Sequence, residues 1–169
     1  MPGPFHLYLV RHAVAEERGP EWPDDSQRPL TPDGAKRWRR QASGLIAIDA
    51  RPDLILTSPF TRARQTADLL AAAFPKKPKV VEMPALHPGV KPRDVLKALE
   101  ADSRVASLAL VGHEPGLGEL AALLIGLKSP PEFKKGGVAR VDVAILPPPA
   151  GSGRLQWWLT PKVLRGLAE

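Results

Sequence analysis

The chain has 169 residues, 43% of them hydrophobic and 25% charged, a composition with room for one substantial core and too short for two comfortable ones. It contains no cysteine, which excludes disulfides, thiolate metal sites and a cysteine nucleophile. The formal net charge of +6 favours acidic partners, whether phosphorylated compounds, acidic protein surfaces or nucleic acid, without choosing among them. The start Met1-Pro2-Gly3-Pro4 lacks the basic and apolar regions of a signal peptide, and no apolar run approaches the ~18 residues that cross a bilayer. A cytoplasmic location is therefore expected.

The first apolar run, Phe5 to Val10, reads as a buried strand, and it ends in Arg11-His12. In open α/β sheets ligand crevices form at the carboxyl ends of strands, so a cation and an imidazole there suggest an anion site. A polar, proline-bearing loop from Glu16 to Leu30 follows, long enough to suggest function. Thr31-Pro32-Asp33 opens a helix, with threonine as N-cap, and Ala35, Trp38, Ala42, Leu45 and Ile46 give it a core face. Asp53 to Thr57 is a second strand, running into Ser58-Pro59, which reads as another N-cap. The helix behind it carries Arg62 near its start. An arginine there opposes the helix dipole unless something negative lies between them, and a phosphate would serve.

Lys79 to Glu82 is a short third strand, Met83 to Lys91 a loop containing His87, and Pro92 to Glu100 a helix. Ser107 to His113 is again a buried strand ending in a histidine, followed by Glu114-Pro115-Gly116 and a helix with Leu117, Leu120, Ala121 and Leu124 on one side. Val138 to Leu146 and Arg154 to Thr160 read as strands separated by a short Pro- and Gly-rich turn. The alternation predicts one α/β domain over 1–169, a three-layer fold with a mostly parallel sheet, an antiparallel edge and helices on both faces. The Lys134-Lys135 pair reads as a solvated turn, and His6 as a packed strand residue. Trp157 and Trp158, being adjacent on a strand, face opposite ways.

In a parallel sheet with right-handed crossovers, the strand ends bearing Arg11-His12, Arg62 and His113 lie along one edge and can converge. A neutral imidazole is a competent nucleophile toward phosphorus, and two guanidiniums hold non-bridging oxygens in bidentate fashion. Positioning and charge stabilisation supply most of the catalysis of phosphoryl transfer. No acidic cluster resembling a metal site is evident, and no cofactor is expected.

Four ordered blocks carry a resemblance: Leu9-Val10-Arg11-His12-Ala13, Leu30-Thr31-Pro32-Asp33-Gly34, Thr57-Ser58-Pro59-Phe60-Thr61-Arg62-Ala63-Arg64-Gln65-Thr66-Ala67 and Leu110-Val111-Gly112-His113-Glu114-Pro115. Together they resemble the histidine phosphatase (phosphoglycerate mutase-like) superfamily, and within it the small phosphohistidine phosphatases of the SixA type. The resemblance implies His12 as a nucleophile that is transiently phosphorylated, with Arg11, Arg62 and His113 binding the phosphoryl group. Ser58 falls in a matching block as either a helix cap or a minor phosphate ligand, and the cap is favoured. Ala13 replaces the glycine found in many members, a variation that also resembles the SixA-type group.

Phosphomonoesterases of the superfamily use a carboxylate, typically in an insertion beyond the second helix, to protonate an alkoxide. Here that region is short, and the proton-donor candidates Glu82, His87 and Glu114 do not fit the motif. A leaving imidazole asks less of an acid. The expectation is a metal-independent phosphatase acting on phosphohistidine of a protein partner of the histidine-containing phosphotransfer type. The alternatives are a phosphatase for a small phosphorylated metabolite and a non-catalytic phosphoprotein-binding module. Neither nucleic acid nor membrane is an expected partner.

Overall fold

A computed structural model describes residues 3–168. Six strands form one sheet: β1 (Phe5–Arg11), β2 (Leu54–Thr57), β3 (Lys79–Glu82), β4 (Ser107–Gly112), β5 (Val138–Val143) and β6 (Arg154–Leu159), in the order β3-β2-β4-β1-β5-β6. The pairs β2–β3, β2–β4 and β1–β4 are parallel, whereas β5 runs antiparallel to both β1 and β6. The fold is the expected three-layer α/β architecture with a mixed sheet. β1 and β4 lie side by side at its centre, with Leu9 opposite Leu110 and Arg11 opposite Gly112.

Strand alternation sends successive residues of β1 into two cores. Leu7 and Leu9 join Leu108, Leu110, Leu117, Leu120 and Leu124 on one face. Tyr8 and Val10 join Trp38, Ala63, Ala67, Leu70 and Leu164 on the other. Helices α3 (Pro92–Ala98) and α4 (Gly116–Ile125) cover the first face, while α1 (Pro32–Ala47), α2 (Thr61–Ala72) and α5 (Pro161–Leu167) cover the second. Trp157 and Trp158 divide between the faces as strand geometry requires.

Thr31 caps α1, its Oγ1 accepting from the Gly34 amide at 2.8 Å, with Pro32 at the first helical position. Gly34 is required by close approach: a Cβ there would lie 2.2 Å from the Val14 carbonyl oxygen. The Thr31 amide donates to that same carbonyl at 3.1 Å. The threonine-proline-aspartate-glycine run thus both starts a helix and seats it against the segment that leaves β1.

Several boundaries differ from the sequence reading. The strand read as ending at Leu146 stops at Val143, because its last partnered residue is Asp142 opposite Arg154 on the β6 side and Phe5 opposite Val143 on the β1 side. The helix from Pro92 is α-helical to Ala98 and tightens into a 3₁₀ turn over Leu99–Asp102. The α5 helix was absent from the sequence reading. It has seven residues and one buried side chain, Leu164, so no apolar period announces it. Ser58 is not a helix cap: α2 begins at Thr61, its cap position is Phe60, and no side chain caps it.

Candidate active site

The carboxyl ends of β1, β2 and β4 are neighbours in the sheet, so the topology brings their following residues to one crevice. The backbone of Arg11 and His12 is fixed from two sides. The His12 amide donates to the Gly112 carbonyl at 3.1 Å, and the Gly136 amide donates to the His12 carbonyl at 3.0 Å. Thr66 on α2 ties the next residue in, its hydroxyl accepting from the Ala13 amide at 3.1 Å and donating to the Arg62 carbonyl at 2.7 Å. One side chain therefore couples the end of β1 to the turn of α2 that presents Arg62.

Arg11, His12, Arg62 and His113 line one pocket, together with Asp25, Arg28, Lys135 and Glu114. His12, Arg62 and His113 are buried, each at most 6% exposed. The His12 and His113 rings lie 5.2 Å apart. The Nδ1 of His12 is 2.7 Å from the Ala13 carbonyl oxygen. A carbonyl only accepts, so Nδ1 carries the proton and the Nε2 lone pair is left free. The Nε2 of His113 is 2.8 Å from the Ser58 hydroxyl. Arg11 donates through Nη1 to the Phe133 carbonyl.

Arg62 donates through Nη1 to the Asp25 carbonyl at 2.9 Å and through Nη2 to the Asp25 carboxylate at 3.1 Å. Arg28, itself buried, holds the other carboxylate oxygen at 2.9 Å and the Glu16 carbonyl at 2.6 Å. The negative group that an arginine at a helix start calls for is thus supplied in part by the chain itself.

Among the described residues, three buried side-chain polar atoms lack a hydrogen-bond partner: Arg11 Nε, Arg62 Nε and His113 Nδ1. All three belong to residues of this pocket. Buried polar atoms without partners are costly, and the two arginine Nε–H donors among them are what an anion-binding site requires.

Burial pushes the His12 imidazole down to about 3, and the charges of Arg62, Arg11 and Lys135 act in the same direction against the Ala13 carbonyl. His113 is lowered to about 3 by burial, with His12 and Arg62 adding to the effect. Both rings are neutral at neutral pH. For Asp25, burial raises the carboxyl, but the hydrogen bonds and charges of Arg28 and Arg62 outweigh it and hold it below the ordinary value. Burial raises Glu114, against a hydrogen bond to its Oε1 from the Gly118 amide at 2.8 Å.

The three proton-donor candidates separate. Glu114 lines the pocket. Glu82 is exposed and lies 3.4 Å from Arg64, outside the pocket lining. His87 is exposed, bonded to the Pro88 carbonyl at 2.9 Å and packed edge-on against Phe60 at 4.7 Å. Ser58 is fully buried and does not line the pocket. His6 is partly buried at the opposite end of β1 from the site, 2.8 Å from Asp142 on the neighbouring strand β5.

The sequence reading missed Asp25, Arg28 and Lys135. Lys135 lines the pocket instead of merely facing solvent, because Gly136 and Gly137 fold the turn onto the backbone of Arg11 and His12. For Asp25 and Arg28 the available signal was their three-residue spacing inside the long loop that follows the strand end bearing Arg11 and His12. Among the described residues no group of three or more His, Asp or Glu side chains is suited to hold a metal ion. The lining sets the cations Arg11, Arg18, Arg28, Arg62 and Lys135 against the carboxylates Glu16, Glu17, Asp25 and Glu114.

Residues 7–87 match the model of the histidine phosphatase superfamily (branch 1). The chain is 40% identical over 123 residues to an uncharacterised protein of Picosynechococcus, covering 69% of this chain and 71% of that one. It is 29% identical over 159 residues to the phosphohistidine phosphatase SixA of Escherichia coli, covering 93% and 94% of the two chains. The structure of the protein histidine phosphatase SixA complexed with tungstate superposes with a TM-score of 0.82 at 28% identity, covering 95% of this chain and 99% of that one. With the ordered motif blocks on adjacent strand ends and the shared fold, the chain belongs to the histidine phosphatase superfamily and resembles its small SixA type.

Proposed function

We propose that the chain is a phosphohistidine phosphatase that uses His12 as its nucleophile and needs no metal. The observation that carries this reading is the His12 ring itself. Its Nδ1 proton is committed to the Ala13 carbonyl, its Nε2 lone pair is free, and it is buried and neutral beside two arginines. In the proposed reaction Nε2 attacks phosphorus while the bond from phosphorus to the substrate nitrogen breaks, and the departing imidazole takes a proton from solvent water. Arg11, Arg62 and His113 donate to the non-bridging oxygens throughout, supplying the charge stabilisation that a metal gives elsewhere. Water then attacks the phosphorus of phosphorylated His12, the N–P bond breaks, and inorganic phosphate leaves with His12 restored.

Two features support a protein substrate. The segment from Met83 to Lys91 is short, and the pocket lining includes the exposed Arg18 and Lys135 beside the exposed Glu17, leaving basic side chains that suit a phosphorylated side chain displayed on a protein. The chain is similar over nearly its whole length to the phosphohistidine phosphatase SixA of Escherichia coli. One observation favours a second reading. Glu114 reaches the pocket with its carboxyl raised by burial, the direction that suits a proton donor to the alkoxide of a small phosphorylated metabolite.

The test is phosphate release in chelator from a phosphohistidine substrate and from an alkyl phosphate, for wild type and His12→Ala. Activity that survives the chelator and falls at least about 10³-fold in His12→Ala is expected, in line with the loss of a covalent nucleophile. Comparable rates on the two substrates favour the metabolite reading, and a metal requirement or an active His12→Ala overturns the mechanism.

A further inference from the structure

Ser58 stands apart from the pocket, yet its hydroxyl accounts for the state of a group within it. It is fully buried and has two partners, the Phe60 amide at 3.2 Å and His113 Nε2 at 2.8 Å. The amide donates and so occupies one lone pair of Oγ. The hydroxyl has one proton to place, and Nε2 is the partner able to accept it.

The proton count then decides the histidine. If Ser58 donates to Nε2, the neutral ring carries its proton on Nδ1, and the arrangement leaves one unpaired group, an Nδ1–H donor. If Nε2 donates instead, the buried hydroxyl proton has no acceptor and Nδ1 presents a lone pair in a pocket built for an anion. The second arrangement strands two groups, one of them repelling the ligand. His113 Nδ1 is in fact buried and without a partner. It belongs to a ring that lines the pocket 5.2 Å from the His12 ring. An unpaired donor there is matched by a phosphoryl oxygen.

We infer that Ser58 is a positioning residue: it donates to His113 Nε2 and thereby fixes the proton on Nδ1, where it donates to an oxygen of the transferring phosphoryl group. The inference rests on the phosphatase reading for its ligand. The two histidines are then set by the same principle from opposite sides. A backbone acceptor holds the His12 proton on Nδ1 and frees a nucleophile, while a side-chain donor at Nε2 makes His113 an electrophilic partner. Ser58 also explains why the serine of the second strand end precedes the helix by three residues, too early to cap it.

The experiment reads the tautomer directly. Long-range nitrogen–carbon correlation NMR of the imidazoles is recorded on wild type, Ser58→Ala and His113→Ala, the last serving to assign the His113 signals, before and after adding inorganic phosphate. In wild type the proton is expected on Nδ1, and phosphate is expected to shift that nitrogen. In Ser58→Ala the Nε2–H form is expected to appear, with kcat lower by roughly tenfold to a hundredfold, the scale of one misplaced donor. A wild-type proton on Nε2, an Nδ1 signal indifferent to saturating phosphate, or a folded Ser58→Ala that changes only one of tautomer and kcat overturns the inference. If Ser58→Ala does not fold, the wild-type spectra decide alone. If wild type turns over no phosphorylated substrate, the phosphatase reading fails, while the tautomer and phosphate shifts still judge the role of Ser58.

Discussion

Arg62 owes its orientation to a carboxylate that competes with any anion it binds. Asp25 accepts from it twice and is braced by Arg28, and its negative charge lies within the pocket lining. In Asp25→Asn the backbone carbonyl bond to Arg62 remains possible, but the pocket loses one negative charge. Inorganic phosphate is expected to inhibit this variant roughly three- to tenfold more tightly, the scale of one charge at a partly exposed site. kcat is expected to fall because the guanidinium loses a second point of attachment. A product-inhibition series checks both; unchanged phosphate affinity would remove Asp25 from the electrostatics of the site. The residue scale is also where sequence reading was uneven. Arg11, His12 and His113 end buried strands, where any polar residue stands out against an apolar run. Asp25 and Arg28 belong to a single 3₁₀ turn, Arg28 as the C-cap of Asp25–Gln27, and Lys135 to a tight turn, segments too short for a hydrophobic period, so nothing in their spacing says which way they turn. Ser58-Pro59 carried a helix-start signature, yet its hydroxyl is taken by His113 and the Phe60 amide.

At the scale of elements, two glycines of α1 separate stability from site geometry. A Cβ on Gly34 would sit 2.2 Å from the Val14 carbonyl oxygen, and one on Gly44 would sit 2.0 Å from the Leu164 carbonyl oxygen of α5. Neither neighbour is the flexible end of a side chain, so helix or chain must move. Gly34→Ala and Gly44→Ala are each expected to lower stability by about 1–3 kcal/mol in urea unfolding, as overpacking does. They are expected to differ in activity. Val14 follows His12 by two residues and its carbonyl also accepts from Thr31, so Gly34→Ala displaces the backbone that holds His12, the proposed nucleophile. Gly44 meets α5, far along the helix, and Gly44→Ala is expected to retain phosphatase activity per folded molecule. Equal loss in both would mean that α1 seats the site as one rigid piece. The same contrast explains what was legible among the elements. α1 was readable because threonine, proline and a long apolar face announce it, whereas α5 exists largely because Gly44 lets it dock, a reason lying more than a hundred residues upstream.

For the whole molecule, the site has a cost in acid. His12 and His113 titrate at about 3 in the folded chain because they are buried beside arginines, against about 6.5 for an unfolded histidine. Between those values the unfolded chain binds up to two protons that the folded chain refuses. Stability is therefore full above about pH 6.5 and is lost as pH falls toward 3. Glu114 acts oppositely, since burial raises its carboxyl and the folded state holds that proton more readily. Asp25 and Asp142 are held below the ordinary carboxylate value despite burial, by Arg28 and Arg62 in one case and by Arg140 and His6 in the other, so they add to the acid loss at the lower end of the range. The histidine contribution is isolated by urea unfolding of wild type and His12→Gln between pH 4 and pH 7. The wild-type free energy is expected to decline with acidity, and the variant's slope to be shallower by about one proton. Parallel slopes would show that His12 is protonated in the folded state at mildly acid pH. Nε2 would then lack a free lone pair below about pH 6.5, and the proposed nucleophile would be confined to neutral and alkaline pH.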